Sequence, residues 1–206
     1  MPIITNLKMK KMKNYNILIL VAFISLSCKA QTTYPLSNYN TAVLKNNNYI
    51  KDFEGILDKF VGTWKWTDTS NPNTYLSVEF VKVVHWNPNN INNFFEDTIL
   101  GNYKYVLNGV VISNTLNYNS TDLYSNNHPV IMANIGKPPF KDLDINMRDV
   151  IKNKTCYADF KIIDLNASTL SATWKMIQKE GIRFGTGLTP IQPGFSIPSD
   201  VVLIKQ

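Results

Sequence analysis

In the last two thirds of the chain, apolar and polar residues alternate in short runs that turn-forming residues separate. Such alternation is typical of β-strands that bury one face, because successive side chains of a strand point to opposite sides. In the run Thr74–Trp86, for example, Leu76, Val78, Phe80 and Val84 share one parity. Strands do not alternate with helical segments, which argues against a parallel sheet. The pattern therefore predicts a mainly β, antiparallel domain.

Turn signals divide this region into eight or nine strands. The strongest signal is Asn108-Gly109 between two apolar runs, which predicts a tight hairpin, because Gly, and Asn nearly as well, adopts left-handed backbone. Antiparallel strands in sequence order close as an up-and-down barrel or pack as a sandwich, and both alternatives stay open. The predicted strands are Thr63–Thr69, Thr74–Trp86, Asp97–Leu107, Val110–Tyr118, Pro129–Ile135, Asp142–Val150, Thr155–Ile163, Thr169–Gln178 and Asp200–Lys205.

One short N-terminal helix is predicted before these strands, over Tyr49–Phe60. Its apolar residues recur at helical spacing, Asn48 is placed to cap its start, and Gly55 weakens it. Residues 31–48 are mostly polar and are predicted to form an extended tether or a loosely docked arm. A single β-rich domain that includes the helix is expected over residues 49–206.

The first thirty residues have the pattern of a signal segment. Lys8–Lys13 is basic, Ile17–Leu26 is an uncharged apolar run, and small residues follow. A helix that spans a bilayer needs about 20 apolar residues, so this shorter run fits export better than anchoring. We therefore expect an extracytoplasmic bacterial protein, located in the periplasm, on the outer membrane as a lipoprotein, or outside the cell.

Two processing routes remain open for this leader. In the first, a signal peptidase cuts after Ala30. In the second, Cys28 is the lipidated cysteine of a lipoprotein, for which Ser27 is suitable but Ser25 stands where a bulky aliphatic residue is usual. Lipid on Cys28 is then the expected link to a membrane. Both routes leave Cys156 without a cysteine partner, and we interpret it as a small buried apolar residue.

The formal net charge of +6 comes mostly from the leader. The leader holds five of the 21 basic residues and no acidic residue, so 16 basic and 15 acidic residues remain. A domain so close to neutral has no strong field that would attract a phosphate backbone. Nucleic acid is therefore not an expected partner.

Short segments spread along nearly the whole chain carry a family resemblance. These segments are Ser27–Gln31, Tyr34–Leu36, Leu57–Trp66, Gly101–Tyr105 and Pro198–Gln206. They resemble an uncharacterised family of small exported bacterial proteins, domain of unknown function 6705. The resemblance implies export and a shared fold, and it implies no activity.

A second, local resemblance rests on the residues Phe60–Trp64, which lead into the first predicted strand. This start is similar to that of lipocalins, which are calycin-type barrels. The resemblance implies that Gly62 lets the chain turn into a barrel and that Trp64 closes the barrel base. It also implies that a basic residue of the last strand covers the tryptophan, and Lys205 is the residue which that strand offers.

The sequence contains no recognisable catalytic, metal-binding or cofactor-binding motif, so we expect neither an enzyme nor a cofactor. Aromatic residues are the remaining candidates for ligand contact, because aromatic faces bind apolar faces of ligands. The candidates are Trp66, Tyr75, Trp86, Tyr103 and Tyr105.

Two functions fit these observations. The first is a non-catalytic, lipocalin-like module that binds a small apolar or amphipathic ligand in the barrel mouth. The second is a cell-surface or carbohydrate-contacting protein that uses the loops Asn87–Asn93 and Asn119–His128 on a β scaffold. An open apolar cavity of more than about 300 Å³ would favour the first function, and a packed interior with an exposed apolar patch would favour the second.

Overall fold

A computed structural model describes residues 31–38, 44–45, 47–177, 182 and 192–206. The predicted signal segment and the lipidation candidate Cys28 lie outside the described residues. Thr33–Gln206 form one compact unit. No helix in the described part of the chain is long and apolar enough to cross a membrane.

The unit consists of eleven strands and two short 3-10 turns among the described residues. The 3-10 turns are Leu36–Asn38 and Pro88–Asn90. The strands are β1 (Thr33–Pro35), β2 (Asn48–Lys51), β3 (Gly62–Thr67), β4 (Tyr75–Trp86), β5 (Phe94–Leu107), β6 (Val110–Asn114), β7 (Ile131–Ile135), β8 (Asp142–Asp149), β9 (Lys154–Ile162), β10 (Ser171–Met176) and β11 (Asp200–Lys205).

Eight of these strands form a closed antiparallel barrel. Its order is β5, β4, β3, β11, β10, β9, β8 and β7, and β7 pairs back to β5. The first barrel strand, β3, meets the last, β11, through the pairs Lys65 with Ile204 and Trp64 with Lys205. The mainly β fold is therefore an up-and-down barrel, as predicted, and the sandwich alternative is wrong.

The 14-residue strand β5 connects the barrel to the three remaining strands. One of its edges pairs with β4, and the other pairs in turn with β2, β7 and β6. The predicted hairpin lies between β5 and β6, where Asn108 has a φ of 53° and Gly109 a φ of 81°. Both values are left-handed, so the expected turn is confirmed.

The predicted helix over Tyr49–Phe60 is wrong. Its first residues form β2, which runs parallel to β5, and Gly55 has a φ of 67°. The carboxylate of Asp52 accepts the backbone N–H groups of Ile56 and Leu57 at 2.7 and 3.0 Å. The Asp52 side chain thus offers the backbone a turn in place of helical hydrogen bonds. Ile50, Leu57 and Phe60 reach the core without a helix, whereas Phe53 is 59% exposed.

Of the two alternatives for residues 31–48, the docked arm describes Thr33–Asn38. Thr33–Pro35 forms β1, which pairs in parallel with β2, and the next residue, Leu36, is buried. Backbone hydrogen bonds and one buried leucine therefore dock this polar segment onto the sheet.

Large side chains fill the barrel interior. The largest buried ones include Trp64, Trp174, Tyr103, Phe80 and Phe160. The Phe160 ring meets the Trp64 ring edge to face at a centroid distance of 4.8 Å, and it meets Phe80 similarly at 5.1 Å. Such rings, interlocked at the geometry that aromatic pairs prefer, occupy the space in which a lipocalin-type barrel would hold a ligand.

Trp64 lies where three elements meet at one end of the barrel. Its indole N–H donates to the backbone oxygen of Phe60 at 2.8 Å. The Nζ of Lys205 lies 5.6 Å from the Trp64 ring and donates to the backbone oxygen of Lys59 at 2.8 Å. Gly62, with a φ of 116°, makes the turn into β3. These contacts tie the turn before β3 to β3 and to the end of β11.

Candidate functional site

The candidate site is a cleft on the outside of the barrel, with a cavity volume of about 430 Å³. Its floor is the outer face of β7, β8 and β9. Asn146 lies at the centre of this floor, paired in register with Met132 on one side and Tyr157 on the other. Asn134 and Asp144 form the adjacent pair. The floor therefore combines amide and carboxylate groups with one aromatic ring, and Tyr157 is 46% exposed.

A β-bulge places Trp86 in the wall of this cleft. The pairing of β4 with β5 shifts by one residue between Val83 and Trp86, where His85 has a φ of 52°. Because side chains alternate along a strand, the extra residue moves Trp86 from the inward to the outward face, opposite Glu96. The same bulge explains why Val84 is 63% exposed, although the sequence places it on the same parity as the core residues of its strand.

Glu96 is the most perturbed acid of the cleft. It is half-buried beside Trp86, and no described residue forms an ion pair with it. Burial raises the pKa of its carboxyl group to about 7, because water no longer solvates the charged form fully. A titratable group of this kind in a cleft marks a functional site more often than an ordinary surface position does.

Two loops form the rim of the cleft. Ile91 and Asn92 come from the loop between β4 and β5, and Leu123 comes from the loop between β6 and β7. The side-chain amide of Asn89 joins the loops by donating to Asp122 at 2.8 Å. These are the two loops that the sequence singled out as a contact surface.

The cleft continues into a smaller recess of about 160 Å³. The two spaces share three lining residues, Leu123, Met132 and Asn146. The recess is also lined by His128 and Arg148, which do not line the cleft. The Nδ1 atom of the buried His128 lies 2.7 Å from the backbone oxygen of Pro129. A carbonyl oxygen can only accept, so Nδ1 carries the proton and Nε2 keeps a lone pair in the neutral ring. Nε2 has no hydrogen-bond partner among the described residues.

The structure separates the five aromatic residues that the sequence proposed for ligand contact. Trp86 lines the cleft. Tyr103 is fully buried in the core, where its hydroxyl contacts the backbone of Arg148 and Val150. Trp66 and Tyr105 both pair with Leu76, far along the strands from Trp86, and Tyr75 lies under Lys65. The five candidates therefore do not line one common cleft, and Trp86 is the one among them that lines the cleft described here.

Sequence reasoning missed Glu96, Tyr157 and Asn146. Their position in one cleft depends on the order of β5, β7, β8 and β9, which no short motif encodes. The outward parity of Asn146 and Tyr157 was visible in the alternation of their strands, but the two loops that turn this face into a cleft were not.

A second polar cluster at the barrel end is structural. Asp149 is fully buried, and its carboxylate accepts the N–H of Ile151, Lys152 and Ser196 and the hydroxyl of Ser196. Lys154 donates to the backbone oxygen of Gln192 at 2.6 Å. These bonds hold residues 192–197 against the barrel. Burial also raises the pKa of the nearby Cys156 thiol to about 12, so the thiol stays protonated.

Comparison with known proteins identifies the family. The model of a family of unknown function, DUF6705, matches residues 12–206. The chain belongs to this family. No curated protein and no solved structure matches it. The DUF6705 match covers every strand of the barrel and the whole cleft.

Within the described part of this DUF6705 protein, no group of three histidine, cysteine, aspartate or glutamate residues is placed to hold a metal ion. The cleft instead offers aromatic rings, amides and carboxyl groups. These groups can stack on an apolar ring face and exchange hydrogen bonds with hydroxyl groups.

Proposed function

We propose that this DUF6705 protein is a non-catalytic carbohydrate-binding module whose ligand lies in the outer cleft. The observation that carries the proposal is the pairing of Trp86 and Tyr157 with Asn146, Asp144 and Glu96 around one space of about 430 Å³. A sugar has apolar ring faces and a rim of hydroxyl groups. Aromatic faces complement the former, and amide and carboxyl groups complement the latter.

The filled barrel interior favours this proposal over an apolar ligand in the barrel mouth. Trp64, Trp174 and Phe160 occupy the interior with zero exposure. A ligand there would have to displace aromatic contacts that stabilise the fold. The outer cleft needs no such displacement, and both of its rim loops are polar apart from Pro88, Ile91, Leu123 and Tyr124.

We further propose that the protein works outside the cytoplasm, either secreted or tethered by lipid on Cys28. The basic and apolar pattern of residues 1–30 supports export. An extracytoplasmic module would meet glycans of the cell envelope or of the surroundings, which suits a sugar-binding cleft.

The test is sugar binding by the purified protein and by two matched tryptophan variants. Cellotetraose, xylotetraose and laminaritetraose would be titrated by calorimetry and by tryptophan fluorescence. Trp86→Ala should weaken binding of the sugar that binds by about tenfold or more, since aromatic anchors dominate such sites. Trp66→Ala removes the same side chain from a half-buried position outside the cleft, and it should leave the affinity within about twofold.

If both variants lost affinity equally, the ligand would not lie specifically at Trp86. If Trp86→Ala kept the wild-type affinity, the ligand would bind outside the cleft. Release of new reducing ends from a bound tetrasaccharide would show catalysis and overturn the non-catalytic part of the proposal.

A further inference from the structure

We propose that the cleft is specific for acidic sugars, and that the recess holds the anionic substituent on Arg148 while His128 accepts a hydroxyl group of the same sugar unit. This inference rests on the proposed function and names the class of its ligand. The anionic group is a carboxylate, as in a uronic acid, or a phosphate.

The first step of the argument is the position of Arg148. Asp144, Asn146 and Arg148 follow one another on the outward face of β8, at intervals of two residues. Two residues of a strand span about 6.6 Å, so these side chains form a row along the floor. Asn146 lines both the cleft and the recess, and Arg148 lies at the recess end. A ligand that stacks near Tyr157 therefore has Arg148 within one sugar unit along the row.

The second step is the unused donor capacity of Arg148. Its Nη2 reaches the backbone oxygen of Asn126 at 3.5 Å, which is a long and weak contact. In the described ranges, no carboxylate lies within ion-pair distance of this guanidinium. A guanidinium carries five N–H donors in a planar fork that matches the oxygens of a carboxylate or phosphate.

The third step is His128, which is buried in the recess wall with an unpartnered Nε2. The hydrogen bond from Nδ1 to Pro129 fixes the tautomer in which Nε2 accepts. An acceptor beside a free guanidinium suits a sugar unit that carries both a hydroxyl and an anionic group. A neutral sugar could accept from Arg148 only through hydroxyl oxygens, without the opposite charge that strengthens a bond to the guanidinium.

Asp122 and Asp144 form no ion pair with Arg148. Asp122 is the acid of the rim loop, and it is engaged by the Asn89 amide at 2.8 Å and the Tyr124 N–H at 2.9 Å. Asp144 lies four residues from Arg148 along β8, which is about 13 Å. That distance exceeds the Debye length of about 8 Å at physiological ionic strength.

The experiment compares four probes by calorimetry on the purified protein. They are tetragalacturonate, glucose phosphate, and the neutral cellotetraose and xylotetraose. The wild-type protein should bind an acidic probe at least about tenfold more tightly than the neutral ones. Arg148→Gln should lose most of that preference, because it removes the charge that attracts the anionic group. Lys175→Gln, an exposed lysine on β10 outside the cleft, removes the same charge and should leave the preference unchanged.

The outcomes separate the inference from the proposed function. Neutral probes that bind as tightly as acidic ones would overturn the acidic specificity and leave the sugar-binding cleft standing. If Arg148→Gln and Lys175→Gln weakened the binding of acidic probes equally, the preference would come from the overall charge of the protein. That result would overturn the role of Arg148. Failure of all four probes to bind would overturn the proposed function itself. Preference for tetragalacturonate over glucose phosphate, or the reverse, identifies the anionic group.

Discussion

At the scale of single residues, Glu96 shows most clearly how the fold alters the chemistry of a side chain. In the sequence it is one of 15 acidic residues and stands next to Asp97 without any motif. In the fold, Asp97 turns inward and accepts hydrogen bonds from Tyr49 and from the N–H groups of Asp52 and His85. Glu96 turns to the cleft, where burial raises the pKa of its carboxyl to about 7.

This raised pKa predicts that Glu96 destabilises the fold as the pH rises. The ordinary pKa of the group is 4.5 and the pKa in the folded state is about 7. Between these values the folded protein binds a proton that the unfolded chain releases, so the free energy of unfolding falls with increasing pH through this window. The full loss across this window is about 3–4 kcal/mol.

Glu96→Gln removes the titration and keeps the shape, so its gain in stability over wild type should be small near pH 4.5 and large near pH 8. Urea unfolding at the two pH values measures the difference. A gain that is the same at both would mean that Glu96 has an ordinary pKa.

At the scale of secondary-structure elements, the sequence predicted most strands and missed the irregular features that build the site. Alternation located the strand Asp200–Lys205 correctly, and Asn108-Gly109 located its turn. The bulge near His85 carries no glycine, so nothing local distinguishes it from the strand around it. The turn at Asp52 was mistaken for a helix because buried residues of a turn can recur at helical spacing.

Trp64 joins β3, β11 and the turn before β3, so Trp64→Ala should lower the free energy of unfolding strongly. Trp64 has zero exposure, packs on Phe160, and donates to the Phe60 backbone at 2.8 Å. Removing the indole leaves a cavity and uncovers the Lys205 side chain above it. We expect a loss of about 3–5 kcal/mol in the free energy of unfolding, measured by urea denaturation. A loss below about 1.5 kcal/mol would show that the barrel closes without this residue.

At the scale of the whole molecule, barrel closure could not be predicted from the sequence. The choice between a barrel and a sandwich depends on two pairings, β3 with β11 and β5 with β7, and both join segments that are distant in sequence. Local alternation is the same in both folds. The cleft could not be predicted for the same reason, because it forms only when β7 pairs with the edge of β5 that β4 leaves open.

The last prediction concerns how the N-terminal segment is processed in the cell. We expect the cellular protein to lack residues 1–27 or 1–30, so that it begins at Cys28 or at Gln31. Four residues separate Cys28 from β1, which gives an extended reach of about 14 Å. A lipid on Cys28 would then hold the barrel close to the membrane, whereas cleavage after Ala30 would release it. Intact mass and N-terminal peptide analysis distinguish the two forms. Cys28→Ala should abolish lipid attachment and leave a cut after Ala30 unchanged, and a full-length form in the cytoplasm would contradict export altogether.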